Sequence, residues 1–342
     1  MKSLNFTTHW SEATVQFIER FTKSNFNSLE VTKLAGDASP RSYYRIKQKQ
    51  KSWVLLETEP FPHEEKFPYI NIQKHLKKHG VHVPEIYEFS ANLGLLFVED
   101  FGDNFLEKIT ARLTPKQYSK YYFMALDELF KIHFEASQKD TDCVAFGLAF
   151  DTEKLMWELE FTKKHLIERH LKISLTPPED SILKKSFKDM SDFLSSQPRY
   201  FTHRDYHSRN LMLHNEKIGV LDFQDARMGT CYYDLASLLR DSYAKLPDSL
   251  CHELLKYYLH EKDLRENTKT DLKDFQRTFD WMSIQRNLKA MGTFAYLHLD
   301  KGKSGYLKFI KPTWDYVDFN LRKFDELREL HGLLGKVFKQ LT

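Results

Sequence analysis

His203-Arg204-Asp205-Tyr206-His207-Ser208-Arg209-Asn210, followed after a strand-forming stretch by Leu221-Asp222-Phe223-Gln224-Asp225, is the passage whose reading decides the fold. It combines an H-x-D-x-x-x-x-N loop with a later aspartate at the end of the apolar run Ile218–Leu221. Moving a phosphoryl group from ATP to a hydroxyl requires a carboxylate to take the hydroxyl proton and oxygen ligands to hold magnesium on the phosphates. Asp205 can supply the first, and Asn210 and Asp222 the second. A polar loop capping its own turns would explain Asp205 or Asn210 singly, but not their spacing together with Asp222.

Working outward, residues 199–223 form a short β-rich island in a chain of otherwise helical texture. Tyr118–Phe134, Thr152–Leu171 and Ser181–Leu194 repeat apolar residues at three and four, as do Tyr233–Tyr243, Ser249–His260, Leu272–Met291 and Thr313–Leu327. Thr176-Pro177-Pro178-Glu179-Asp180 reads as a break. Before residue 100 the pattern differs. Leu29–Ala35, Ser42–Ile46 and Ser52–Leu56 read as an antiparallel meander, a helix starts near Pro68 and stops at Gly80, and Val81–Phe89 and Leu93–Glu99 are two more strand candidates. The fold class expected is α+β and bilobal: a β-rich lobe over 1–100, a hinge near 99–103, and a helical lobe over 101–342 that carries the catalytic hairpin loop, the metal site and the acceptor site.

Composition narrows the partners. The 342 residues hold 51 Lys plus Arg against 48 Asp plus Glu, a net charge of +3, which argues against a nucleic-acid binder. A few placed cations holding a small anion remain compatible with it. With 41% hydrophobic residues, 27 Phe and 17 Tyr, a large core is available. The three cysteines, Cys143, Cys231 and Cys251, include no C-x-x-C pair, so neither a disulfide framework nor a cysteine zinc site is expected. No membrane partner is expected, since neither a secretory signal nor a membrane-length apolar run is apparent; the reading is a reduced, cytoplasmic protein. His75 and His79, set among Lys74, Lys77 and Lys78, read as a solvated basic face rather than metal ligands. The oligomeric state is not legible.

The chain resembles the aminoglycoside phosphotransferase and choline kinase superfamily, which implies a protein-kinase-like fold, and more narrowly its bacterial branch of anomeric amino-sugar kinases. The resemblance lies in Leu34–Arg45, Gly94–Asp103, His203–Asn210, Asp222–Ala226, Tyr233–Tyr243 and Gln285–Ala295. It implies ATP and Mg2+ as cofactors, Asp205 as catalytic base, and Asn210 and Asp222 as metal ligands. It also implies a phosphate-covering loop from Gly36 to Ser42 and an interlobe hinge at Glu99 to Gly102, with Glu99 and Phe101 beside the adenine. Gly36 permits tight backbone geometry, Ser39 offers a hydroxyl and Arg41 a cation, though an ordinary hairpin turn would read the same way. The substrate implied is a small amino sugar, N-acetylmuramate or N-acetylglucosamine, phosphorylated at its anomeric hydroxyl, with cell-wall recycling as the setting. An aminoglycoside or choline phosphotransferase and a non-catalytic nucleotide-binding regulator are the rival readings.

One departure stands out. Protein kinases pair a lysine of the third strand with a helix glutamate, yet Trp53-Val54-Leu55-Leu56-Glu57 has no lysine and Tyr69–His79 no glutamate. Both halves are missing together, as expected when another design replaces the pair; Arg41 or Arg45 is the cation expected at the phosphates. For the acceptor, a lactyl carboxylate calls for cations, and Arg240, Arg286 and Lys289 are the candidates, with Asp241 for sugar hydroxyls. Two of the cations have structural alternatives: Arg240 answering a helix dipole, Arg286 pairing with Asp280 or another carboxylate.

Overall fold

The computed structural model describes residues 10–34 and 41–339. Gly36 and Ser39, and most of the expected phosphate loop, lie outside the described residues.

The N-terminal lobe is one antiparallel sheet with a helix on each side. Its strands are β1 (Glu30–Lys33), β2 (Ser42–Gln48), β3 (Lys51–Glu57), β4 (Ile86–Ser90) and β5 (Leu95–Glu99), in the order β1-β2-β3-β5-β4. Period-two alternation sends successive side chains to opposite faces. On β2, Tyr44 and Ile46 are buried in an outer cluster with Phe17 and Ile18 of α1 (Glu12–Thr22), while Tyr43 and Arg45, with Arg41 just before the strand, face the interlobe cleft. On β3, Leu55 joins the outer cluster and Val54 and Leu56 the main core. Helix α1, which strand and turn signals did not announce, is capped by Ser11, whose hydroxyl accepts from the Thr14 amide at 3.2 Å. Taking Phe17 and Ile18 out of water contributes about 2 kcal/mol each.

Helix α2 (Pro68–Lys78) starts with proline in its first turn and packs on the inner face. The expected strand from Val81 is shorter than read, since residues 81–85 run as loop before β4. His75 does not lie on a solvated face. It is 4% exposed, stacks on Phe201, and its Nε2 bonds the Ala136 carbonyl at 2.8 Å, because four-residue spacing also puts it beneath α2 against the other lobe.

The C-terminal lobe is helical: α3 (Leu106–Arg112), α4 (Pro115–Phe130), α5 (Thr152–Thr162), α6 (Pro177–Ser195), α7 (Cys231–Leu239), α8 (Asp248–Glu266), α9 (Leu272–Lys301), α10 (Ile310–Leu321) and α11 (Arg328–Val337). The stretch read as a break at 176–180 is the start of α6, where Thr176 and Glu179 form a capping box. Helix α9 runs ten residues past Met291. Set into these helices are two β-ribbons, β6 (Tyr200–Thr202) with β9 (Arg227–Gly229) and β7 (Leu211–His214) with β8 (Lys217–Val220). One continuous apolar core runs from Val54 and Leu56 through α4, α7 and α9 to Phe338. All three cysteines are free and buried, and burial pushes the Cys231 thiol up to about 12. Among the described residues no helix is long and apolar enough to cross a membrane.

The lobes meet at a hinge clamped by Arg45. Its guanidinium donates to both Asp100 oxygens, at 2.7 and 2.8 Å, to Asp103 at 2.8 Å and to the Gly102 carbonyl at 2.7 Å. Burial pushes the Asp100 carboxyl up, but donation from Arg45, Ser52 and the Gly102 amide outweighs it and leaves the group below its ordinary value. Arg45→Met keeps much of the volume and leaves Asp100 unpaired. The expected loss in urea unfolding free energy at pH 7 is about 3 kcal/mol. Because the folded-state pKa is depressed, this contribution is present above the unfolded carboxylate value of about 4 and is lost as pH falls through the folded value. The gap between variant and wild type should therefore close in acid; a gap at pH 7 no larger than an exposed ion pair's, under about 1 kcal/mol, would contradict the clamp.

Candidate active site

Asp205 reaches the cleft because its loop is tied down on every side. His203 and Arg204 donate their amides to the Asp234 carboxylate at 2.7 and 2.9 Å, and His133 Nε2 bonds the same group at 3.1 Å. Asp234 is fully buried in the first turn of α7. This anchorage holds Arg204 at φ 84°, a left-handed backbone that side-chain-bearing residues avoid. Behind the loop, Asp241 accepts from the Ser208 amide at 2.9 Å and the Tyr243 amide at 2.8 Å, and Tyr206 donates to the Ala125 carbonyl at 2.7 Å. His203 Nε2 bonds the Leu221 carbonyl at 2.9 Å, tying the loop to the segment that bears Asp222. Asp222 itself has φ 59°.

The cleft between the lobes has a volume of about 730 Å3. Arg41, Tyr43, Arg45, Val54 and Tyr69 line it from above; Glu99, Phe101 and Gly102 line the hinge; Asp205, Asn210 and Asp222 line the floor; and Arg286 and Lys289 of α9 close the far end. Gly219 lets the Phe101 ring lie against β8, for a Cβ there would come within 2.3 Å of the ring. Asn210 donates its amide nitrogen to the Asp205 carbonyl at 2.9 Å, which leaves its side-chain oxygen as the available ligand atom. Lys289 Nζ stands 3.1 Å from Asp205 Oδ1. Burial pushes the Asp205 carboxyl up, but the cations Lys289, Arg204 and Arg286 more than reverse this and hold it well below the usual carboxylate range. His207 is driven down to about 3 by burial and by Arg286 and so stays neutral. Asp222 is raised, first by desolvation and then by the charge of Asp205.

Of the residues named from sequence, Arg41, Arg45, Glu99, Phe101, Asp205, Asn210, Asp222, Arg286 and Lys289 all line this cleft. Two do not. Arg240 turns away, bonding Asp248 at 3.0 Å with its guanidinium over the Tyr316 ring, and Asp241 is a brace behind the loop. Arg286 does not pair with Asp280, which binds Lys323 at 2.9 Å. Its Nε donates to Ser237 Oγ at 2.9 Å, and among the described residues no carboxylate lies within ion-pair distance of it. Arg45 faces the cleft but is committed to the hinge. Sequence reasoning passed over Tyr43, Tyr69 and Asp234, although Asp234 lies in a quoted segment. Their polarity is unremarkable in sequence, and only the tertiary arrangement gives them a place.

Among the described residues no three His, Cys, Asp or Glu side chains cluster as a metal cage. Asn210 and Asp222 present oxygen atoms and no softer donor at the cleft floor, the kind of ligand that an ion such as magnesium takes from a protein while phosphates and water complete its shell.

The model of the phosphotransferase enzyme family matches residues 30–269. The N-acetylmuramate/N-acetylglucosamine kinase of Pseudomonas aeruginosa is 32% identical over 313 residues, spanning 90% of this chain and 88% of that protein. A protein of the same name from Neisseria meningitidis serogroup B is 29% identical over 309 residues, spanning 89% and 90%. Among solved structures, ADP-bound aminoglycoside phosphotransferase APH(2'')-Ib superposes with a TM-score of 0.60 at 14% identity, covering 90% of this chain and 98% of that one. Choline kinase from Cryptosporidium parvum Iowa II gives 0.63 at 12% identity, covering 94% and 97%. The bilobal fold is thus the protein-kinase-like one.

Asp234→Ala should remove the acceptor of two loop amides and of His133 at once. The expected cost is at least about 3 kcal/mol in urea unfolding, with faster hydrogen exchange at residues 203–210 than in the wild type. A cost near that of an ordinary surface substitution, about 0.5 kcal/mol, would show that other contacts hold the loop.

Proposed function

The chain belongs to the phosphotransferase enzyme family, and from that premise we propose that it transfers the γ-phosphoryl group of ATP to the anomeric hydroxyl of N-acetylmuramate and N-acetylglucosamine. The observation that carries this reading is Asp205 held ionised beside Lys289 in a cleft that Asn210 and Asp222 also line. The names and extent of the P. aeruginosa and N. meningitidis relatives support the choice of sugar.

The nucleotide lies under the sheet with its adenine at Glu99–Phe101, and the sugar lies at the α9 end. Asp205 orients the anomeric hydroxyl and takes its proton as the sugar oxygen bonds the γ-phosphorus and the bond to the ADP oxygen breaks. A carboxylate with so low a proton affinity is a weak base for an ordinary alcohol, and an anomeric hydroxyl, being more acidic, suits it. Asn210 and Asp222 hold magnesium, which when bound neutralises charge on the phosphates. Lys289 shields Asp205 from the incoming phosphate, and Arg286 is the cation set to meet the lactyl carboxylate of N-acetylmuramate.

Cationic acceptors fit less well. Arg204, Arg209, Arg286 and Lys289 line the acceptor end. The aromatic group that would suit choline is already filled by Arg209, whose guanidinium lies 3.9 Å from the Tyr243 ring and 5.0 Å from Phe309. A cytoplasmic setting, with ATP at hand and thiols kept reduced, fits the three free cysteines.

An ADP-release screen across N-acetylmuramate, N-acetylglucosamine, other hexoses, choline and aminoglycosides tests the reading. Turnover is expected with the two N-acetylated sugars. Asp205→Asn should cut it by on the order of 10³-fold while ATP binding persists. No turnover on either amino sugar, or near-normal turnover in Asp205→Asn, would contradict it.

A further inference from the structure

A nucleotide kinase of this fold normally holds the α- and β-phosphates with a lysine on the third strand, kept in place by a helix glutamate. Here Leu56, fully buried, faces the core from β3, and α2 offers no glutamate. What stands at that place instead follows from strand register. Tyr43 of β2 is the direct cross-strand partner of Leu56, so the two side chains share a face. The Tyr43 side chain thereby lines the cleft. From the other side, Tyr69 in the first turn of α2 lines the same cleft, and its ring packs 5.0 Å from Phe223, the residue after Asp222.

We propose that the Tyr43 and Tyr69 hydroxyls, beside Arg41, donate hydrogen bonds to the nucleotide α- and β-phosphates and so replace the lysine and glutamate as the phosphate clamp of the upper lobe. The proposal rests on the kinase reading of the cleft. Among the described residues neither hydroxyl has a hydrogen-bond partner, nor is either sealed from solvent. Two unspent donors at the wall of a polar cleft, next to a metal-side carboxylate, are placed for an anionic ligand that brings its own acceptors. Electrostatics agree: each phenol senses both Arg41 and Asp222, so the hydroxyls, the cation and the carboxylate belong to one locality. Burial pushes both phenols up, Tyr43 to about 12, which keeps them protonated as donors across the physiological range.

The design also explains why both halves of the lysine and glutamate pair are missing. A buried lysine needs the glutamate to neutralise it, whereas phenols need no counter-charge when the cleft is empty. The cationic part falls to Arg41, which directly precedes β2 and lines the same cleft.

Tyr43→Phe and Tyr69→Phe keep each ring and remove only the hydroxyl. Binding of ATP, ADP and adenosine to the full chain with magnesium, measured by calorimetry, separates a phosphate contact from a structural effect. Each variant should bind ATP and ADP about tenfold more weakly than the wild type, as for loss of a hydrogen bond to a charged group, with adenosine affinity unchanged. ATP affinity unchanged in both variants would overturn the proposal. So would equal weakening of ATP and adenosine, the mark of a distorted lobe. A wild-type chain that binds no ATP would overturn the kinase reading itself, and the clamp with it.

Discussion

Asp234, sealed from water in the first turn of α7, is the group on which the rest of the site depends. A buried carboxylate is costly unless donors surround it, and the donors here are two amides of the loop that bears Asp205, and His133. His133 Nδ1 meets the Tyr258 hydroxyl at 2.6 Å, so the network extends into α8. Satisfying Asp234 therefore forces the loop backbone into the turn that leaves Arg204 left-handed and aims Asp205 at the cleft. Asp241 and Tyr206 finish the positioning from behind. The Asp205 carboxylate is held in place because its backbone answers a buried demand elsewhere, which is how a loop acquires the precision of a helix.

Cations are divided in the same way between structure and chemistry. Arg45 spends its guanidinium on Asp100, Asp103 and Gly102, and Arg240 spends its own on Asp248. Arg209 is spent on Glu107 and a group of aromatic rings. Arg286 has no carboxylate partner among the described residues, and Lys289 is held only by the group it tunes. The near-balance of 51 basic and 48 acidic residues hides this division. Electrostatic function resides in which few cations the fold leaves available to a ligand.

Much of this was legible in the sequence for a physical reason. The residues proposed for phosphoryl transfer, Asp205, Asn210 and Asp222, lie within a span of 18 residues, so their spacing survives in the linear text. The meander was legible because runs of β-favouring residues are separated by turn formers, and α6 was misplaced at its start because Thr-Pro-Pro both ends loops and opens helices. The partnership of Arg45 with Asp100 crosses 55 residues and leaves no local trace. Arg240 and Arg286 look alike in sequence; the turn ending α7 buries one away from the cleft, and α9 sets the other on the cleft wall. Tyr43 and Tyr69 were invisible among 17 tyrosines until register and helix placement set them on one wall.

The most direct measurement is proton-coupled phosphorus-31 NMR of the product formed from ATP and N-acetylglucosamine. Transfer to the anomeric oxygen predicts a phosphorus signal split by a single vicinal proton, H1. A signal split by two methylene protons, the signature of the C6 phosphate, would contradict the assignment of Asp205 to the anomeric hydroxyl.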